Sequence, residues 1–186
     1  MINHCQEKVV IYIDGNNFYK YLKDKQISFP KGVKFNFLKF IDFLIGGRQL
    51  VSKRYYIGIV KNFDNSEKSK EIVRGQQKFL GELQKMGFVI KRGKVIYDSG
   101  RIREKGVDVK ISVDLVIGAV DNIFDTAIIV SSDTDLIPAI KYARFKGKNI
   151  EYVGFSHFPS LGIQKNVNFS RLLSSQDIDS FKIINP

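Results

Sequence analysis

The sequence predicts an α/β domain built on a central, mostly parallel β-sheet with helices on both faces. Three observations carry this. Apolar, strand-like runs alternate with helix-like segments along the chain, as strand–helix–strand crossovers require. The runs Lys8–Asp14 (KVVIYID) and Thr126–Ser131 (TAIIVS) are apolar almost throughout rather than alternating, the pattern of strands buried on both faces. The chain has 186 residues, 44% of them hydrophobic, which suits one well-filled core and not a disordered chain.

Taken in order, Lys8–Asp14 reads as a buried strand ending in the turn Asp-Gly-Asn-Asn. Residues 16–26 follow as a short amphipathic helix. Asn36 can cap a helix that presents Phe37, Phe40, Ile41 and Leu44 on one face and stops at Gly46-Gly47. Leu50–Val60 is a second strand. Residues 66–86 form a charged helix with Ile72, Phe79, Leu80, Leu83 and Met86 as its apolar stripe, ended by Gly87. Phe88–Tyr97 reads as one strand or as a hairpin about Arg92-Gly93. Residues 98–107 (DSGRIREKGV) are polar and basic and read as a loop. Asp108–Phe124 is a helix, Thr126–Ser131 a strand, Asp135–Lys146 a helix ended by Gly147, and Asn149–Val153 a last strand. The pattern fades beyond Gly154. Residues 1–155 are therefore expected to form the domain, with 156–186 as a C-terminal helical extension packed on its edge.

Charge and composition narrow the chemistry. Lys and Arg total 30 against 19 Asp and Glu, a net charge of +11. Such an excess favours an anionic partner, nucleic acid before membrane surface, although solubility alone also explains it. Cys5 is the lone cysteine, so neither an intrachain disulfide nor a cysteine-based zinc site is available, and His4 and His157 follow no zinc spacing. Any metal would be held by carboxylates, which favours Mg²⁺ or Mn²⁺. No apolar run reaches the ~18 residues of a transmembrane helix, and MINHCQEKVV has no signal-peptide core. A soluble cytoplasmic protein is expected.

In an open α/β sheet, ligands bind beyond the carboxyl ends of the strands. Two strands here end in acid: Asp14 closes the first, and Asp133 and Asp135 follow Thr126–Ser131 in the turn SSDTD. Each acid alone also reads as a helix cap or turn residue. If the two strands are neighbours, their carboxylates crowd together, and a cation normally accompanies such a cluster. Asp114 lies in the apolar helix segment VDLVIGA, at the border of its apolar face, and Asp108 opens that helix. Six residues apart, they differ by about 240° around a regular helix and would not share a face. A D-x-D at the first strand end, as a haloacid-dehalogenase phosphatase needs, is missing because position 16 is Asn. A dinucleotide-binding fold is disfavoured by the lack of a Gly-rich first turn.

Three segments, IDGNN after the first strand, KGVDVKISVDLVIGA mid-chain and IIVSSDTDLIPAIKYARFKGKNIEYVG near the end, together resemble the NYN domains in their bacterial LabA-like branch, within the PIN-like nuclease superfamily. Each motif alone is weak; the three in order and spacing are more specific. The resemblance implies a three-layer α/β/α sandwich and metal-dependent ribonuclease activity. On it, Asp14 and Asn17 match the first motif, Asp108 the K-G-V-D segment, Asp114 the mid-helix acid, and Asp133 and Asp135 the S-x-D-x-D pair. Ser132 and Leu136 stand where Gly and Phe are common in the family, leaving the acids intact.

The expected site is thus Asp14, Asp114, Asp133 and Asp135 as metal ligands with Asp108 as a further member, Asn17 orienting water or phosphate, and Mg²⁺ or Mn²⁺ as cofactor. Arg92, Arg101, Arg103 and Lys105, with Lys91 and Lys94 nearby, are candidates for holding the substrate backbone, and a solvated charged loop is their plainer reading. Single-stranded RNA is the expected partner. The sequence leaves self-association into a homo-oligomer open. Tyr19 would sit in the core more readily than stack on a base. The alternative function is a non-catalytic nucleic-acid-binding regulatory module that retains a metal site.

Overall fold

The computed structural model describes residues 6–23, 34–61, 66–98 and 101–183, with side chains throughout except at 96–98 and 101–103. Its elements run β1 (Lys8–Asp14), α1 (Gly15–Leu22), β2 (Lys34–Phe35), α2 (Phe37–Ile45), β3 (Gln49–Ile59), α3 (Glu67–Lys85), β4 (Val89–Asp98), β5 (Arg101–Lys105), α4 (Val107–Val120), β6 (Thr126–Val130), α5 (Ile137–Phe145), β7 (Asn149–Phe155), α6 (Leu161–Gln164), β8 (Phe169–Leu173), α7 (Ser175–Asp179) and β9 (Lys182–Ile183). A 3-10 turn, Thr134–Leu136, leads into α5.

Seven strands form the central sheet in the order β5-β4-β3-β1-β6-β7-β8. All neighbours run parallel except β4 and β5, which make an antiparallel hairpin. The chain starts at the middle with β1 and builds outward through β3 and β4. Helix α4 then carries it back to β6 on the other side of β1. This reversal is the topological switch point of the sheet, where a crevice opens at the strands' carboxyl ends.

Side chains of β1 alternate between two cores. Val9, Ile11 and Ile13 pack with Phe18 of α1, Phe40 and Leu44 of α2, and Leu80 and Leu83 of α3. Val10 and Tyr12 pack with Ile111 and Leu115 of α4 and Ile140 and Ala143 of α5. The result is the expected three-layer sandwich. All six residues of β1 after Lys8, and all five of β6, are buried on one face or the other, which is why both read as unbroken apolar runs.

Two segments differ from the sequence expectation. Residues 101–105, read as loop, form β5. Its pairing of Lys105 with Lys94 and Glu104 with Val95 makes the sheet edge polar, a common defence of an edge strand, and masks its strand character. The terminal segment contains the expected short helices but also β8, which hydrogen-bonds β7 and extends the sheet. Gly154, where the apolar pattern fades, lies inside β7. No helix among the described residues is long and apolar enough to cross a membrane.

Candidate metal and catalytic cleft

Asp14 is the last residue of β1 and the N-cap of α1: its Oδ1 accepts the Asn17 N–H at 3.0 Å. The plain capping role is therefore real, but it occupies only one oxygen. Oδ2 accepts from Ser131 Oγ at 3.0 Å, across the gap between β1 and β6. Ser131 Oγ in turn accepts the Asp133 N–H at 3.2 Å. Asp133 caps the 3-10 turn, its Oδ1 accepting the Asp135 N–H at 3.0 Å. Asn17 Oδ1 accepts the Ser132 N–H at 3.3 Å, a second tie between the two strand ends. Gly15 makes the close packing possible: a Cβ there would lie 2.5 Å from the Tyr55 ring and 2.8 Å from the Tyr56 carbonyl oxygen.

The crevice so formed has a volume of about 190 Å³ and is lined by Asp14, Glu104, Val107, Asp108 and Asp133. Four of the five are acids. Helix α4 begins at its lining with no side-chain cap hydrogen bond, and the N–H groups of its first turn favour anions there. Burial pushes the Asp14 carboxyl above the usual carboxylate range; the Asn17 N–H and the Ser131 hydroxyl oppose the shift, and the charge of Asp133 adds to it. Glu104 is pushed up as well, chiefly by burial, with the Gly58 N–H opposing and the Asp14 charge adding. The Lys20 charge draws both acids back down.

Glu104 is the site acid that sequence reading missed. Its Oε2 accepts from Asn16 Nδ2 at 2.8 Å and from the Gly58 N–H at 2.6 Å. A Cβ at Gly58 would sit 2.6 Å from that oxygen, so glycine admits the carboxylate. The available signal was that Glu104 is the one acid in an otherwise basic stretch, RIREKG. Lys20 was missed too; it follows Asn16 by one helical turn.

The structure brings Asp14, Asp108 and Asp133 to the cleft and does not bring Asp114 there. Tyr56 Oη donates to Asp114 Oδ2 at 2.7 Å, Lys91 Nζ lies 3.0 Å from the same oxygen, and Arg54 is 3.5 Å from it. Asp114 is thereby an anionic anchor over the sheet, below the cleft. Burial, followed by the hydrogen bond to Asp114 and its charge, pushes the Tyr56 phenol far up, so it remains a donor. Asp135 is exposed and is not among the lining residues. Asn17 uses its side-chain oxygen on the Ser132 backbone. Arg92 and Lys105 are exposed on β4 and β5, while the side chains of Arg101 and Arg103 lie outside the described residues. Tyr19, expected in the core, is 53% exposed, with Lys23 over its ring.

The donor set is all oxygen and suits a hard divalent cation. Among the described residues, however, no group of three or more acids or histidines is arranged to hold an ion. The cleft fits the mode in which two carboxylates and several waters hold Mg²⁺, rather than a closed protein cage.

A family model for the NYN domain matches residues 8–173, which include every residue of the cleft. No curated protein matches the chain. Among solved structures, the fold resembles that of a protein of unknown function from Vibrio parahaemolyticus RIMD 2210633, with a TM-score of 0.69, 20% identity, and 98% of this chain and 100% of that one covered. At that identity the likeness bears on the fold alone.

Proposed function

The chain belongs to the NYN domain family, within the PIN-like nuclease superfamily, and on that premise we propose that it is a metal-dependent ribonuclease acting at the cleft of Asp14, Asp108 and Asp133. The observation that carries the proposal is the convergence of these acids with Glu104 at the sheet's switch point, in a chain of net charge +11. A strongly cationic protein that concentrates carboxylates in one crevice has a reason to do so beyond solubility.

Asp14 and Asp133 are the residues that would hold Mg²⁺ or Mn²⁺ directly, with Asp108 and Glu104 also lining the cleft. A divalent ion bound there lowers the pKa of its water and neutralises charge on a phosphodiester. The protein's own part is positional. Ser131 and Asn17 keep the two strand ends in register. Asn16 and the Gly58 N–H hold Glu104 toward the cleft, where its raised proton affinity suits it to keep or pass a proton. Lys20, Arg92 and Lys105 supply positive charge for the phosphate backbone, which gives salt-dependent and largely sequence-independent binding.

The test is incubation of purified protein with labelled single-stranded RNA and Mn²⁺ or Mg²⁺, beside EDTA and the variants Asp14→Asn and Asp133→Asn. Cleavage that stops in all three controls supports the reading. Cleavage that persists with EDTA or in the variants refutes the metal mechanism, and RNA binding without any cleavage favours a regulatory nucleic-acid-binding module.

A further inference from the structure

Helix α4 is apolar on both sides. Ile111, Leu115 and Ala119 are buried against the sheet, yet on the outer side Val109 is 58%, Val113 49%, Ile117 47% and Val120 54% exposed. A helix that is hydrophobic all round is ordinarily covered all round. Beside it, Val113, Val116, Pro138 and Tyr142 line an open groove of about 360 Å³ between α4 and α5. Phe145, 80% exposed, extends the same face, its ring 6.3 Å from that of Tyr142.

We propose that this face is the interface of a homodimer in which α4 pairs antiparallel with α4 of a second copy. Three features select a second copy. The seam valines fall at 109, 113, 116 and 120, Val116 half-buried and the other three exposed, in the alternating four-three spacing of a helix-pairing seam. That spacing is self-complementary: centred between Asp114 and Leu115, an antiparallel pair sets Val109 against the partner's Val120 and Val113 against the partner's Val116. A two-fold axis demands such a match of a patch with itself. The flanking charges are also complementary, because the same register brings Lys110 alongside the partner's Asp121, on the side of the seam away from α5.

Sedimentation equilibrium of the full chain over a concentration series tests this. A concentration-dependent dimer is expected, with Val113→Glu raising its Kd more than about 100-fold while the circular dichroism spectrum stays unchanged. If that variant misfolds, the charge swap decides. Lys110→Glu and Asp121→Lys should each weaken the dimer about tenfold, and the double variant should recover most of the loss. A wild-type chain that stays monomeric throughout overturns the proposal and leaves the face to a different partner. So does a dimer indifferent to Val113→Glu, or a double variant no tighter than the single ones.

Discussion

Ser131 Oγ donates to Asp14 Oδ2 at 3.0 Å while accepting the Asp133 N–H at 3.2 Å, so one hydroxyl joins the ends of β1 and β6. Asp14 is 7% exposed and Ser131 2%. Removing the hydroxyl in Ser131→Ala leaves a buried carboxylate oxygen and a backbone N–H without that partner. The expected cost is about 1 to 3 kcal/mol of stability, read from urea unfolding. Mn²⁺ affinity should fall with it, because Asp133 loses the tether that keeps its turn beside Asp14. A variant as stable as the parent would show that the link is incidental.

The cleft should carry a stability cost that function requires. Asp14 and Glu104 both bind a proton more tightly folded than unfolded. The stability they contribute is therefore fully present below the ordinary carboxylate range, and it is lost as pH rises through their elevated folded values. Once both are ionised they bear the whole penalty. Asp14→Asn keeps an oxygen for the Asn17 N–H and removes the charge, so its melting temperature at neutral pH should exceed the wild type's. The gap should close in acid. A neutral-pH melt below the wild type's would contradict the account.

Divalent metal should reverse that penalty. Binding to the folded state alone stabilises it by RT ln(1 + [M]/Kd), about 2.7 kcal/mol at a hundredfold excess over Kd. Mn²⁺ titration is expected to raise the wild-type melting temperature and to leave those of Asp14→Asn and Asp133→Asn nearly still. An equal rise in all three would place the metal elsewhere.

Asp114 is expected to matter for stability rather than for metal. Asp114→Ala removes the acceptor of Tyr56 and leaves Arg54, whose side chain is 15% exposed, without its carboxylate. A fully buried pair broken in this way loses about 3 to 5 kcal/mol; the residual solvent contact of both partners reduces this to roughly 2 kcal/mol. Calorimetry should find Mn²⁺ binding retained. Lost binding with unchanged stability would return Asp114 to the site.

Arg92 and Lys105, exposed on β4 and β5, are expected to contact phosphates. Each Arg92→Ala or Lys105→Ala change should lower RNA affinity uniformly across sequences and reduce the slope of log K against log salt by about 1. A change that altered sequence preference instead would assign the residue to base recognition.

What the sequence by itself determined was the layered architecture and the polarity of the site. An apolar run buried on both faces identifies itself without reference to its neighbours. In a parallel sheet, an acid at the carboxyl end of one strand lies on the same edge as an acid at the carboxyl end of another. Asp14 and Asp133 were legible for that reason. The tertiary structure alone decided that β1 and β6 are adjacent, which turns two separate caps into one cleft. It also chose between Asp108 and Asp114. Helix α4 carries apolar residues on opposite faces, so periodicity gives little signal for its rotation; packing against Tyr12 and Tyr56 sets that rotation, turning Asp108 to the cleft and Asp114 to Tyr56 and Arg54. Glu104 reached the cleft through a polar edge strand that looks like loop. Local pattern reports whether a residue will be buried, and which residues it then meets depends on strand order and helix rotation, which no short window of sequence contains.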